Sequence, residues 1–155
     1  MNGLPWLPPL FPFAGDWQVY EDALFLKFCA DFIAAPPSYE GLPVRIKRYP
    51  AENGKEASFW HLISEGPVES DRLPDLRRCE RIAWPLALVL AAPPAVRRWR
   101  NKRGTATRAL IALPDFSYVV ILDVRQAYFV LWTAYPVTGP RKQADLLREC
   151  TAAGG

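Results

Sequence analysis

Between residues 95 and 137 the chain changes period. Four β-like runs, "AVRRWRNKR", "TRALIAL", "SYVVILDV" and "AYFVLWTAYPV", follow one another with only a few residues between them. Parallel neighbours need a crossover of a dozen or more residues, so connections this short predict an antiparallel meander. The breaks carry turn chemistry: Gly104, Pro114 with Asp115, and Arg125 with Gln126. "YVVILDV" is apolar at successive positions, which suits a strand covered on both faces and predicts a central place for it.

The residues before this region read differently. Trp17, Tyr20, Leu24, Phe28 and Phe32 recur at helical spacing behind Asp16, a good N-cap, so a helix is predicted over 17–34. "APPS" at 35–38 ends it. "PVRIKRY", 43–49, alternates as a strand does, and "ENGKE", 52–56, is a turn. "SFWHLI", 58–63, fits a short aromatic strand or the start of a second helix. "PDLRRCERIAW", 74–84, puts Leu76, Cys79, Ile82 and Ala83 on one helical face, and "PLALVLAA" carries that helix on to Pro93. A polar helix at 140–150 closes the chain. Residues 1–15, rich in proline and aromatics, are expected to lie extended against the body. The expectation is one α+β domain over 1–155: 17–93 mainly helical, then a four-stranded antiparallel β-sheet over 95–136.

Composition narrows the classes. With 50% hydrophobic and 23% charged residues, 155 residues can bury a real core and are not a disordered tract. The longest apolar run, 82–95, is broken by Pro85, Pro93 and Pro94 and is too short to span a bilayer, so no membrane partner is expected. The first residues lack the basic region of a secretory leader. Cys29, Cys79 and Cys150 are odd in number and far apart, which argues against a zinc site or a disulfide framework.

Charge is uneven. Residues 1–40 hold five acids and one base, and the remainder carries the excess of bases. The densest patch, 96–108, contains Arg97, Arg98, Arg100, Lys102, Arg103 and Arg108 around Trp99, with no acid. Such a stretch reads as a polyanion-binding surface or as a solvated Arg-rich strand.

Three elements can carry chemistry. Thr133 and Tyr135 lie two apart on a predicted strand, so their hydroxyls face one way and can hold a phosphate; both residue types are also ordinary in strands. Arg77, Arg78 and Arg81 cluster on a predicted helix, either as a guanidinium fork for phosphate or as a surface face paired with Glu80. His61 is the chain's one histidine and titrates near neutrality when unperturbed, so a metal-free proton shuttle would lean on it; packing beside Phe59 and Trp60 is the plainer reading. No HxxxH, P-loop, GxSxG or Gly-rich dinucleotide turn is present.

In this order, "FWHL" with His61, "RLPDLRRCERIAW" with Arg78 and Arg81, "YVVIL", and "YFVLWTAYPV" with Thr133 and Tyr135 resemble the BECR ribonuclease superfamily, which takes in barnase, EndoU, colicin nuclease domains and RelE. The similarity is greatest to its phage-associated (PBECR) branch and covers roughly residues 17–145. The resemblance implies helices ahead of a four-stranded antiparallel sheet. It also implies metal-independent endonucleolytic cleavage of tRNA or mRNA through the 2′-OH, without a cofactor. It implies a toxin or phage-encoded effector in bacterial cytoplasm, restrained by an antitoxin or immunity protein. By the same resemblance His61 is the general acid or base, Arg78 or Arg81 the phosphate-binding cation, and Thr133 and Tyr135 the late-strand pair. EndoU-type enzymes use two histidines, so here one proton transfer falls to another group such as Tyr135. The patch Arg97, Arg98, Trp99, Arg100, Lys102 and Arg103 would track the RNA backbone, with Trp99 stacking on a base. A non-catalytic RNA- or protein-binding module on the same fold is the alternative.

Overall fold

The structure, a computed structural model, describes residues 4–66 and 72–155. Helix α1 (Trp17–Phe28) starts where Asp16 accepts a hydrogen bond from the Val19 N–H. Its buried residues Tyr20, Leu24 and Phe28 are spaced by four, and Phe32 continues the series. On an α-helix such a series drifts by about 40° per step. The chain widens into a π-helical stretch at Cys29–Ala34, which keeps Phe32 against Phe28. The helix expected over 17–34 is therefore formed in two windings.

Strands β1 (Ser38–Tyr39) and β2 (Leu42–Ile46) form a tight hairpin through Glu40 and Gly41, both at positive φ. Residues 58–63, which fit either state, are helical in α2 (Ala57–Ile63). Nearly every side chain of α2 is buried, so no apolar stripe marks it in the sequence. A short hairpin pairs β3 (Ser64–Glu65) with β4 (Leu73–Pro74). The helix expected over 74–93 is interrupted. Asp75 caps α3 (Leu76–Cys79), turns follow, and α4 (Trp84–Leu90) restarts with Pro85 in its first turn, where a missing N–H does no harm.

Four strands then run as expected: β5 (Arg97–Arg103), β6 (Ala106–Ala112), β7 (Tyr118–Val124) and β8 (Phe129–Pro136), each antiparallel to the last. The sheet is nevertheless six-stranded and mixed, in the order β1-β2-β8-β7-β6-β5. The four-stranded antiparallel expectation is corrected by β2, which pairs in parallel with β8 through Val44, Arg45 and Ile46. Helix α5 (Pro140–Ala152) closes the chain.

Each sheet face has its own core. One, with Val44, Ile111, Val120, Leu122, Phe129 and Leu131, packs against the helices of the first half. The other, with Trp99, Leu110, Val119 and Ile121, packs under α5 at Leu146 and Cys150. Pro8 and Phe11 lie against the body: the Trp84 Nε1–H donates to the Pro8 carbonyl (3.0 Å) and the Phe11 N–H to the Glu80 carbonyl (2.8 Å). No helix among the described residues is long and apolar enough to cross a membrane.

Candidate active site

Strand β8 outruns its partner. β2 pairs with it as far as Leu131 and ends at Ile46. A strand edge left this way exposes backbone groups that need partners. Helix α2 supplies them. Its first N–H groups, on Ala57 and Ser58, bond the Arg48 and Lys47 carbonyls at the exit of β2. The Ser58 hydroxyl donates to the Leu131 carbonyl (2.8 Å), and the His61 Nδ1 lies 3.2 Å from the Trp132 carbonyl. In return the Thr133 hydroxyl donates to the His61 carbonyl (3.0 Å).

The strand is also bent here. Ile121 faces Thr133 but Leu122 faces Leu131, so Trp132 is an extra residue in β8. A bulge of this kind re-aims side chains. It brings Trp132 against His61, edge to face, with ring centroids 5.2 Å apart. Thr133 and Tyr135 stand opposite Ile121 and Val119, two members of one core, so the pair does share a face.

Arg78 completes the junction. From α3 its Nη1 donates to the carbonyls of His61 (3.1 Å) and Ser64 (2.7 Å), capping the end of α2. Its guanidinium lies 5.2 Å from the centre of the Tyr135 ring. Arg72, which sequence reasoning missed, also donates to the Ser64 carbonyl, and to that of Gly66 (2.8 Å). Two guanidinium groups thus share one carbonyl, with the Asp75 carboxylate 3.8 Å from Arg78 Nε. A hairpin pairing of two-residue strands, with Ser64 opposite Pro74, sets this geometry and leaves no periodic signal to read.

Arg78 and Thr133 therefore meet at the His61 carbonyl, and Tyr135 lies against Arg78. Arg81 does not join them. Its Nη1 donates to the Arg77 carbonyl and pairs with Glu80 (both 3.0 Å), and its guanidinium lies over Trp84. Of the two arginines left open, Arg78 reaches the junction. Beneath them burial pushes the Tyr118 phenol far up, and the charges of Arg81 and Arg78 only partly offset this, so it stays protonated. The His61 ring is 5% exposed. A carbonyl only accepts, so the bond to Trp132 places a ring proton on Nδ1.

The basic patch needs correction. On β5 alternation sends successive side chains to opposite faces. Trp99 is 5% exposed, covered by α5, and donates to Glu149 (2.6 Å), so no base can stack on it. Arg97 lies over Phe116 and bonds the Gly155 carbonyl (2.9 Å). Arg98 lies over Tyr39 and bonds the Ala91 carbonyl (2.7 Å), while Arg100 pairs with Glu40 (3.0 Å). Arg100, Lys102 and Arg103 are the exposed members of the expected set. β5 is the outermost strand, and charges there protect an edge from pairing.

Among the described residues no group of three or more His, Cys, Asp or Glu side chains is placed to hold a metal ion. Compared with known proteins, the chain matches no protein-family model, no curated protein and no solved structure.

Proposed function

We propose that the chain is a metal-independent endoribonuclease with its reaction centre at the junction of α2, α3 and β8. One observation carries the reading: His61, Arg78, Thr133 and Tyr135 come from three distant segments and converge on the bulge of β8. RNA brings its own nucleophile. The 2′-oxygen bonds to phosphorus, the bond to the 5′-oxygen breaks, one proton leaves the 2′-OH and one reaches the 5′-oxygen. The His61 imidazole serves one transfer and the Tyr135 phenol the other. A positioned acid or base contributes about 10²–10⁴-fold. Arg78 spends Nη1 on two carbonyls and retains Nη2 for a phosphate oxygen. Thr133 has one hydroxyl proton and gives it to the His61 carbonyl, so it positions His61 rather than touching phosphate.

The same reading makes the chain a toxin or phage-encoded effector acting on tRNA or mRNA in bacterial cytoplasm, held in check by an acidic antitoxin or immunity protein. A second reading, a non-catalytic RNA- or protein-binding module, is favoured by the burial of His61 and its bond to the Trp132 carbonyl.

The test is cleavage of total tRNA and of a generic mRNA in EDTA by wild type, His61→Ala and His61→Asn. An asparagine amide can still donate to the Trp132 carbonyl but cannot titrate. Discrete cleavage by wild type, lost in both variants, supports the nuclease. Cleavage retained in His61→Asn removes His61 from the chemistry. No cleavage by any of them, with RNA binding kept, selects the binding module.

A further inference from the structure

The sheet face under α5 is covered over only part of its length. Beyond Leu110 and Ile121 the same face continues into Arg108 and Asp123, paired across β6 and β7, and then into Val130. At this end of the sheet a groove of about 660 Å³ opens, lined by Arg45, Lys47, Asp123, Arg125, Tyr128 and Trp132 and, from the other core, by Phe32, Val44 and Ile46. Its aromatic rings carry cations: Arg45 lies 4.6 Å from the Tyr128 centroid, and Lys47 and Arg108 lie 4.9 and 5.0 Å from that of Trp132. Among the described residues no carboxylate is within ion-pair distance of Arg45 or Lys47.

Asp123 is the exception in sign. It is 8% exposed, with Arg108 Nε at 3.3 Å and Arg125 Nη2 at 3.5 Å. The charges are close, yet the Arg108 contact is not aligned as a hydrogen bond, and Oδ1 accepts none. Arg108 Nε is likewise buried and without a hydrogen bond, so these two atoms face each other; Oδ2, beside Arg125, is not buried in this way and is the oxygen a ligand donor can reach.

We infer that this groove is a single-stranded RNA track in which a base stacks on Trp132, its amino group donates to Asp123, and the flanking phosphates lie on Arg45, Lys47 and Arg125. The inference rests on the nuclease reading for its substrate class and adds where that substrate lies. Charge selects a polyanion, and two aromatic rings beside the cations select one with planar groups. A stacked base outweighs an exposed cation–π contact, so Lys47 yields the ring and turns to the phosphate. A double helix hides its bases, so the strand is single. Adenine, cytosine and guanine bear an exocyclic amine with two N–H groups; uracil bears none and offers Asp123 only the single N3–H of its ring. Trp132 also touches His61, so a base seated there sets the adjoining phosphodiester at the proposed centre.

The experiment is fluorescence anisotropy of the full chain with short labelled 2′-O-methyl oligomers of cytidine, adenosine and uridine. Without a free 2′-OH they cannot be cleaved, so binding is read whether or not the chain is a nuclease. Cytidine and adenosine oligomers should bind more tightly than uridine. Arg45→Glu with Lys47→Glu, both on the sheet surface, should abolish binding, and Lys102→Glu with Arg103→Glu should leave it unchanged. Replacing Arg45 and Lys47 by Ala should lower the salt slope by roughly 1.4, about 0.7 for each phosphate no longer neutralised. Trp132→Ala should weaken binding roughly five- to hundredfold. Asp123→Asn should erase the penalty on uridine. Equal affinity for all three bases, equal competition by polyglutamate, or loss of binding only with the Lys102 and Arg103 changes would overturn the inference. Tight binding in the groove with no RNA cleaved would leave it standing and sink the nuclease alone.

Discussion

The two faces of the sheet obey different rules. Against the first-half helices, Val44, Leu122, Phe129 and Leu131 are fully buried. The charges near that side have partners, although Asp31 Oδ2 and Arg98 Nε each lack a hydrogen bond. Lys55, 7% exposed, bonds Glu21, 4% exposed, at 2.8 Å, and Asn53 and Trp17 complete the carboxylate's partners. On the other face the apolar pattern stops halfway, and Arg45, Lys47, Arg108 and Asp123 follow without that closure. Folding alone asks for the first arrangement. The second leaves Arg45 and Lys47 on aromatic rings with no carboxylate among the described residues to pair them.

The largest effect expected lies on the closed side. Lys55→Met leaves Glu21 charged and buried, which costs about 3–5 kcal/mol. The pH dependence follows from the pair. Burial pushes Glu21 up, but its bonds to Lys55 and Asn53 hold it below the usual carboxylate range. Its contribution is therefore present above that range and lost as pH falls through the lowered value. Burial lowers Lys55, but Glu21 and Asp22 raise it above the usual lysine range, so its share persists until pH rises through that raised value. Without Lys55, acid relieves Glu21, and the gap between wild type and variant should narrow as pH falls. Asp31, raised by burial, is common to both proteins and cancels in the difference. Urea titrations across the acid range measure this; a gap independent of pH would break the assignment.

Neighbouring residues give the next test. Leu131 belongs to the closed face and Val130 lines the groove. Leu131→Ala should cost about 2–5 kcal/mol. Val130→Ala, beside open space, should cost under about 1.5 kcal/mol. Equal losses would mean that the groove face is as tightly packed as the other.

Much of this contrast was legible. Spacing alone located α1, α5 and the four strands of the meander, and it placed β7 inside the sheet. The pairing of β2 with β8 was not legible, since nothing local in "LPVRI" names a partner some eighty-five residues away. Of the candidate site, His61, Arg78, Thr133 and Tyr135 were named from the chain, but the bulge at Trp132 that gathers them leaves no pattern. Alternation could have split the run 97–103 between two faces. It could also have set Arg45 and Lys47 beside Tyr128 and Trp132, had the parallel pairing been known.

The junction between the faces should respond more mildly. Thr133→Val removes one hydrogen bond to the His61 carbonyl, about 1 kcal/mol. As a positioning residue it should lower kcat with little change in KM, and Thr133→Ser should restore both stability and turnover. Stability restored by serine without turnover would mean that the methyl group, not the hydroxyl, holds His61 in place.

The smallest effect is the most informative about the open face. Lys47→Ala removes an ammonium that lies over Trp132 and pairs with no carboxylate among the described residues. Its effect on stability should stay within about 0.5 kcal/mol, the range of ordinary surface changes. Lys102→Ala, on the outer strand, should be as neutral. Chemical denaturation should not tell the two apart, and RNA affinity at low salt should, falling for Lys47→Ala only. A charge whose removal the fold ignores and the ligand detects belongs to function. If Lys47→Ala instead destabilised the protein by more than about 1 kcal/mol, its place over Trp132 would be packing, and the open face would be a second, polar core.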